Sequence, residues 1–148
     1  MIDDVDWSAV LGIDTTLTLL AAGLIFIAAL VLGVWKYHGM ATSPNHLAHP
    51  YVDIAHRAAL MYAFATLLVA VFVELSAWPT AVNLAAAAVQ IFFFVAAIIT
   101  YIVHGWKKDT DNQMAHPVRG TFAFMVALIT AEIGGFAVLL AGFIVGQF

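Results

Sequence analysis

The residues of this sequence best suited to chemistry are its six histidines, which all lie near the ends of long apolar segments: His38, His46, His49, His56, His104 and His116. Imidazole is a common protein ligand of iron, zinc and copper. If a helix begins at Pro50, then His49, Asp53 and His56 fall at positions i, i+4 and i+7 and share one stripe of that helix. A carboxylate beside an imidazole fixes its tautomer, an arrangement typical of metal ligands. The spacing therefore predicts a metal site in this layer.

A structural role for the same residues is the alternative interpretation. Histidines at a membrane surface form hydrogen bonds with loop carbonyl groups and lipid headgroups, and Asp53 is placed to cap a helix. The sequence lacks the HExxH zinc motif and the HxxxH and HxxHH clusters of non-haem iron sites. Because the chain has no cysteine, a metal would be held by His, carboxylate or Met.

Membrane-spanning helices have to position these residues, because 64% of the 148 residues are hydrophobic, 9% are charged and the mean hydropathy is +1.01. This composition excludes a nucleotide-binding fold, a nucleic-acid-binding module and a secreted protease. At roughly 20 apolar residues per crossing, the length predicts four spans. We expect an all-α, polytopic membrane four-helix bundle, a single transmembrane domain over residues 1–148, with spans at about 15–36, 54–78, 81–104 and 118–146.

The basic residues predict the orientation, because all of them flank the same ends of the four spans: Lys36, Arg57, Lys107, Lys108 and Arg119. The positive-inside rule places that side in the cytoplasm and both termini outside, as expected in a bacterial inner membrane. Trp7 and Trp78 would mark the outer interface, and Trp35 and Trp106 the inner one. The acidic amino terminus, with Asp3, Asp4 and Asp6, argues against a cleaved secretory signal.

A short pattern occurs twice at the ends of the odd-numbered spans. Each copy reads His-Gly, a polar loop and then Ala-His-Pro, at an offset of 66 to 67 residues. This predicts two repeated parallel helix hairpins related by an axis along the membrane normal, with each proline at the first position of a helix. Symmetric pairs of histidines would then be alternative metal ligands: His38 with His104, and His49 with His116.

Two acidic residues lie within the spans. Glu132 falls at nearly the depth of Gln90, and either a hydrogen-bonded pair or a functional carboxyl group would explain it. Glu74 lies near the outer surface at the depth of Thr15 and Asn83, where its side chain can reach water.

The start of the second span resembles a known family. Ala55-His56, followed by Leu60-Met61, resembles the AHxxxLMNG pattern of the styrene oxide isomerase and hydroxylaminobenzene mutase families, which are small four-span membrane isomerases. The resemblance implies that His56 is the axial ligand of a haem b whose ferric iron acts as a Lewis acid on an epoxide oxygen. Tyr62 and Ala63 stand where the families have Asn and Gly, so Tyr62 becomes the candidate catalytic hydrogen-bond donor.

The depth of His56 supports this assignment. It lies about a turn and a half beyond Pro50, close enough to the surface for haem propionates to meet the basic residues Arg57, Lys36 or Arg119. Six positions place Tyr62 about 120° from His56 on one helix, so the two share a site more easily between subunits. The isomerase resemblance implies a homo-oligomeric ring, a trimer, with a small hydrophobic substrate entering from the lipid bilayer.

A second resemblance points to a different function. His56-Arg57, Leu60-Met61 and Arg119-Gly120-Thr121-Phe122 are similar to segments of four-span proteins linked to the assembly of haem-copper oxidases. This implies a non-catalytic haem or metal subunit for electron transfer or oxidase assembly, with two histidines closing both axial positions. An open iron coordination position favours the isomerase, and a closed one favours the assembly protein.

Overall fold

Four helices account for most of the structure, a computed structural model that describes residues 10–148. They are α1 (Ile13–Thr42), α2 (Pro50–Glu74), α3 (Thr80–Lys107) and α4 (Thr121–Gln147). This confirms the all-α prediction, and no strand occurs within the described range. The predicted roles of Asp3, Asp4, Asp6 and Trp7 fall outside the described residues.

All four helices are long and apolar enough to cross a membrane. The shortest has 25 residues and the longest has 30, against the roughly 20 that a crossing needs. We therefore treat the chain as an integral membrane protein. The basic residues and histidines lie at the carboxyl ends of α1 and α3, the amino ends of α2 and α4, and the loops between them, which together form the basic end.

Small residues bring α1 and α2 together. Ala29, Ala55 and Ala59 are fully buried at their contact, and Ile98 of α3 completes the same core cluster. Without Cβ branches the two backbones can approach closely, which is the usual basis of helix association in membranes. Helix α4 packs on α2 and α3, and within residues 10–148 it does not touch α1.

The two copies of the Ala-His-Pro pattern differ at the start of their helices. Pro50 is at the first turn of α2, as predicted, and the side chain of His49 caps the helix, which was not predicted. In the second copy, α4 begins at Thr121, after the left-handed Gly120, and not at Pro117 or at the predicted residue 118. Proline therefore explains the start of α2 only, and the repeated-hairpin arrangement stays a prediction.

Candidate functional site

A cavity of about 590 Å³ lies at the basic end between α3, α4, the loop that joins them and one side chain of α2. We call it the α3–α4 cavity. Its polar lining includes His104, Asp109, His116 and Arg119, while Phe124 and Leu128 belong to its apolar lining. Tyr62 also lines it, so the cavity brings the predicted catalytic tyrosine together with three of the other predicted site residues.

His104 has its ring orientation fixed by a carboxylate. Its Nδ1 atom lies 2.8 Å from Oδ1 of Asp109. With the proton on Nδ1 donated to the carboxylate, the neutral ring keeps a lone pair on Nε2, the state that a general base or a metal ligand requires. The hydrogen bond from His104 also holds the pKa of Asp109 below its usual value.

Asp109 was not among the residues predicted from the sequence. Helix α3 ends at Lys107, and Lys108 adopts a left-handed conformation with φ of 51°. This sharp turn carries the next residue, Asp109, back toward His104 on the last turn of the helix. A polar residue five positions after a helix-terminal histidine is too weak a signal to predict such a contact.

Tyr51 supports the same region and was also missed. It is buried, and its ring centroid lies 5.1 Å from that of His104 and 6.0 Å from that of Tyr101. Its hydroxyl oxygen accepts a hydrogen bond of 2.6 Å from the backbone N–H of Gln113. Tyr51 thereby ties the loop between α3 and α4 to α2, and this contact positions one wall of the cavity.

Tyr62 lies at the membrane side of the cavity. Its ring stacks on Phe94 of α3, with centroids 4.4 Å apart. Glu132 Oε1 is buried and has no hydrogen-bond partner among the described residues. The predicted pairing of Glu132 with Gln90 is wrong, because the Gln90 amide donates to the carbonyl oxygen of Ala86 on its own helix.

His56 faces a different side of α2 from Tyr62, toward α1. Its Nδ1 atom lies 2.9 Å from the carbonyl oxygen of Ala29 on α1, and its ring packs against Gly33. When Nδ1 donates this bond, Nε2 keeps a lone pair, as a haem ligand requires. His56 does not line the α3–α4 cavity, so one protomer does not bring His56 and Tyr62 together, in keeping with their spacing along the helix.

The basic residues predicted to meet haem propionates have different surroundings. Lys36 and Arg57 both pair with Asp53, at 2.6 and 2.8 Å. Asp53 therefore bridges two cations, and none of the hydrogen bonds of the described residues joins it to His49 or His56, contrary to the predicted stripe. Arg119 lies at the α3–α4 cavity instead.

His49 is occupied by structural contacts. Its Nδ1 atom accepts a hydrogen bond from the backbone N–H of Tyr51, and its Nε2 atom lies 3.2 Å from Oδ1 of Asp111. Both ring nitrogens are engaged, so this predicted alternative ligand acts as a helix cap in the structure. His38 and His49 line a second cavity, of about 390 Å³, whereas His104 and His116 line the α3–α4 cavity. The two members of each symmetric histidine pair thus lie at different cavities.

Residues 10–148 contain no group of three His, Asp or Glu side chains that could hold a bare metal ion. Haem has a different requirement, since one or two axial ligands are enough. The chain matches no protein-family model, no curated protein and no solved structure.

Proposed function

We propose that this integral membrane protein is an isomerase that binds a small hydrophobic, oxygenated substrate in the α3–α4 cavity. The observation that carries the proposal is the cavity itself, which joins an apolar lining to a histidine with a carboxylate-fixed ring. Its volume of about 590 Å³ lies in the usual range of small-molecule sites. An epoxide-to-carbonyl rearrangement needs no net redox change, which suits a site built from acid and base groups.

Three side chains have distinct roles in this proposal. The Nε2 lone pair of His104 accepts a proton from the epoxide carbon that keeps the oxygen, and Asp109 stabilises the resulting imidazolium. The imidazolium then returns this proton to the other epoxide carbon, from which the oxygen has departed, and the enolate becomes the carbonyl product. The Tyr62 hydroxyl donates a hydrogen bond to the substrate oxygen as the carbon–oxygen bond of the epoxide opens. Arg119 adds positive charge at the same cavity, where it favours the developing oxyanion.

Haem b enters the proposal through the family resemblance. Ferric haem would supply a Lewis acid for the substrate oxygen. Two histidines have the required ring state: His56, held by Ala29, and His104, held by Asp109. Because His104 is the proton acceptor of this proposal, His56 would be the haem ligand, at a contact between protomers of the expected trimer. His104 would hold haem only in the non-catalytic alternative.

The second candidate function is a non-catalytic haem or metal subunit for electron transfer or oxidase assembly. Its support is that His104 and His116 line one cavity, so both could approach the same group. In that case both axial positions of a haem iron are closed, and no substrate oxygen reaches the metal.

The remaining features of the proposal concern the membrane. We place the protein in a bacterial inner membrane with the basic end in the cytoplasm and both termini outside, on the strength of the positive-inside rule. The hairpin repeat remains part of the proposal because the two His-Gly and Ala-His-Pro patterns recur at one end of the bundle.

Turnover of styrene oxide by membranes that contain the protein tests the proposed function. We expect formation of the isomeric aldehyde by the wild type, loss of activity in His104→Ala, and unchanged activity in the loop variant His46→Ala. Absence of the aldehyde, or equal activity in His104→Ala and wild type, would overturn the isomerase.

The visible spectrum of the purified protein tests the haem part separately. A Soret band is expected for the wild type, and its loss in His56→Ala or in His104→Ala identifies the ligand. No Soret band rejects haem in both candidate functions. A low-spin spectrum of a bis-imidazole haem favours the assembly subunit over the isomerase.

A further inference from the structure

The end of the bundle opposite the basic end holds two carboxylates joined by one threonine. Asp14, which is 6% exposed, accepts a hydrogen bond of 3.1 Å from the backbone N–H of Thr15. The hydroxyl of Thr15 donates a bond of 2.6 Å to Glu74 at the end of α2. Asp14 and Glu74 come from different helices, so the fold brings this acidic cluster together.

Asn83 of α3 is buried in the same cluster and is only partly satisfied. It is 3% exposed, and its Nδ2 atom lies 3.4 Å from Oδ2 of Asp14 and 3.1 Å from the carbonyl oxygen of Trp78. Its Oδ1 atom is buried and has no hydrogen-bond partner among residues 10–148. A buried acceptor without a partner is unfavourable because it has lost its hydrogen bond with water, so this oxygen indicates a missing electropositive group.

Charged side chains of residues 10–148 do not supply that group at this end of the bundle. All five Lys and Arg residues and all six histidines of the sequence lie at the basic end. The carboxyl end of α2, with the negative end of its helix dipole, lies at the cluster, and so do the amino ends of α1 and α3, with the positive ends of theirs. A carboxylate as buried as Asp14 is costly without a counter-charge, particularly in a helix bundle that crosses a membrane.

We propose that this end of the bundle binds one hard cation, Na⁺ or Ca²⁺, with Asp14, Asn83 and Thr15 as its ligands. Carboxylate, amide and hydroxyl oxygens are the ligands that such cations prefer. The cation gives Asn83 Oδ1 its missing partner and balances the charge of Asp14. Glu74 lies at the exposed side of the cluster, where it adds negative charge at the entrance.

Isothermal titration calorimetry of the purified, detergent-solubilised protein in choline chloride tests this proposal, with NaCl and CaCl₂ titrated in separate runs. We expect saturable binding of at least one cation at one site per chain. Asp14→Asn and Asn83→Ala should each weaken that binding at least tenfold. The matched control Asp111→Asn, which removes a carboxylate at the basic end, should bind as the wild type does.

Two results would overturn the cation site: no saturable binding of either cation to the wild type, or equal loss of binding in the control. If a cluster variant does not fold, the Tm of the wild type tests the proposal instead. A bound cation must raise this Tm above its value in choline chloride of equal ionic strength. Styrene oxide turnover is independent of this measurement, so failure of one proposal is distinguishable from failure of the other.

Discussion

His56 Nδ1 lies 2.9 Å from the carbonyl oxygen of Ala29, which makes a histidine side chain part of the contact between α1 and α2. Gly33, one helical turn further along α1, leaves the space for its ring. The imidazole therefore has a backbone acceptor for Nδ1 and packs against a glycine of the next turn of α1. Its orientation depends on both.

Replacing Gly33 by alanine should disturb this contact. The added Cβ would lie 2.9 Å from Cε1 of His56, closer than carbon atoms normally approach. We expect the Gly33→Ala variant to lose about 1–3 kcal/mol of stability, as overpacked cores do. Gly23→Ala is the matched control, because its Cβ meets nothing within 4 Å. Thermal unfolding in detergent measures both, and equal Tm values for the two variants would contradict the prediction.

Replacing Gly142 by alanine, at the other end of the bundle, should also destabilise the protein. A Cβ there would overlap Ser76 Oγ and lie 2.5 Å from Cδ1 of Trp78. The same turn is anchored by the Trp78 indole N–H, which donates to the carbonyl oxygen of Val138. We expect Gly142→Ala to lower Tm and shift the tryptophan fluorescence, whereas Gly134→Ala, with open space around it, changes neither. An unchanged spectrum in Gly142→Ala would show that the turn does not pack on α4 in this way.

The hydrogen bond between His104 and Asp109 predicts a pH dependence. Because the pKa of Asp109 is lowered in the folded protein, its ionised form stabilises the fold above its unfolded pKa of about 4. That contribution is lost as the pH falls through the folded value. The Tm difference between wild type and Asp109→Asn should therefore be largest near neutral pH and shrink below pH of about 4. A difference that stays constant from neutral pH to acid would contradict the assignment.

The Tyr62→Phe variant distinguishes the proposed catalytic role of the Tyr62 hydroxyl from the packing role of its ring. Tyr62→Phe keeps the ring that stacks on Phe94, so we expect a stability change of at most about 1 kcal/mol. Loss of the donor should lower styrene oxide turnover by about 10²-fold or more. Comparison of Tm and turnover for this one variant is the measurement. Full activity in Tyr62→Phe would remove this residue from the proposed catalytic group.

The number and approximate position of the helices were predictable because apolar length alone defines a membrane span. The proximity of Glu74 and Thr15 was also predictable, since depth depends only on counting residues from each span end, and the two side chains are hydrogen-bonded. Which of the residues at one depth form hydrogen bonds with each other was not predictable. Gln90 lies level with Glu132 by count, yet its amide bonds to a carbonyl oxygen one turn back on its own helix.

The candidate site was predicted less completely, because spacing along the sequence does not determine which side chains pair with each other. A helical stripe places Asp53 beside His49 and His56, but the longer Lys36 and Arg57 side chains reach its carboxylate first. The partner of His104 depends on the left-handed backbone of Lys108, which the sequence does not reveal in a residue other than Gly or Asn. Sequence therefore identified His104 as a candidate without identifying Asp109.

Ligand protection of a single cysteine tests the central claim, binding in the α3–α4 cavity, most directly. The chain has no cysteine, so Thr100→Cys places one thiol in the lining, and Ile99→Cys places the control thiol on the exposed face of α3. The probe is 2-phenylethanol, an unreactive small apolar alcohol, and the readout is the rate of alkylation by a membrane-permeant maleimide. We predict that the probe slows alkylation of Thr100→Cys in a saturable manner and leaves Ile99→Cys unaffected. Equal rates with and without the probe at Thr100→Cys, or an equal decrease at both positions, would contradict a binding site in the cavity.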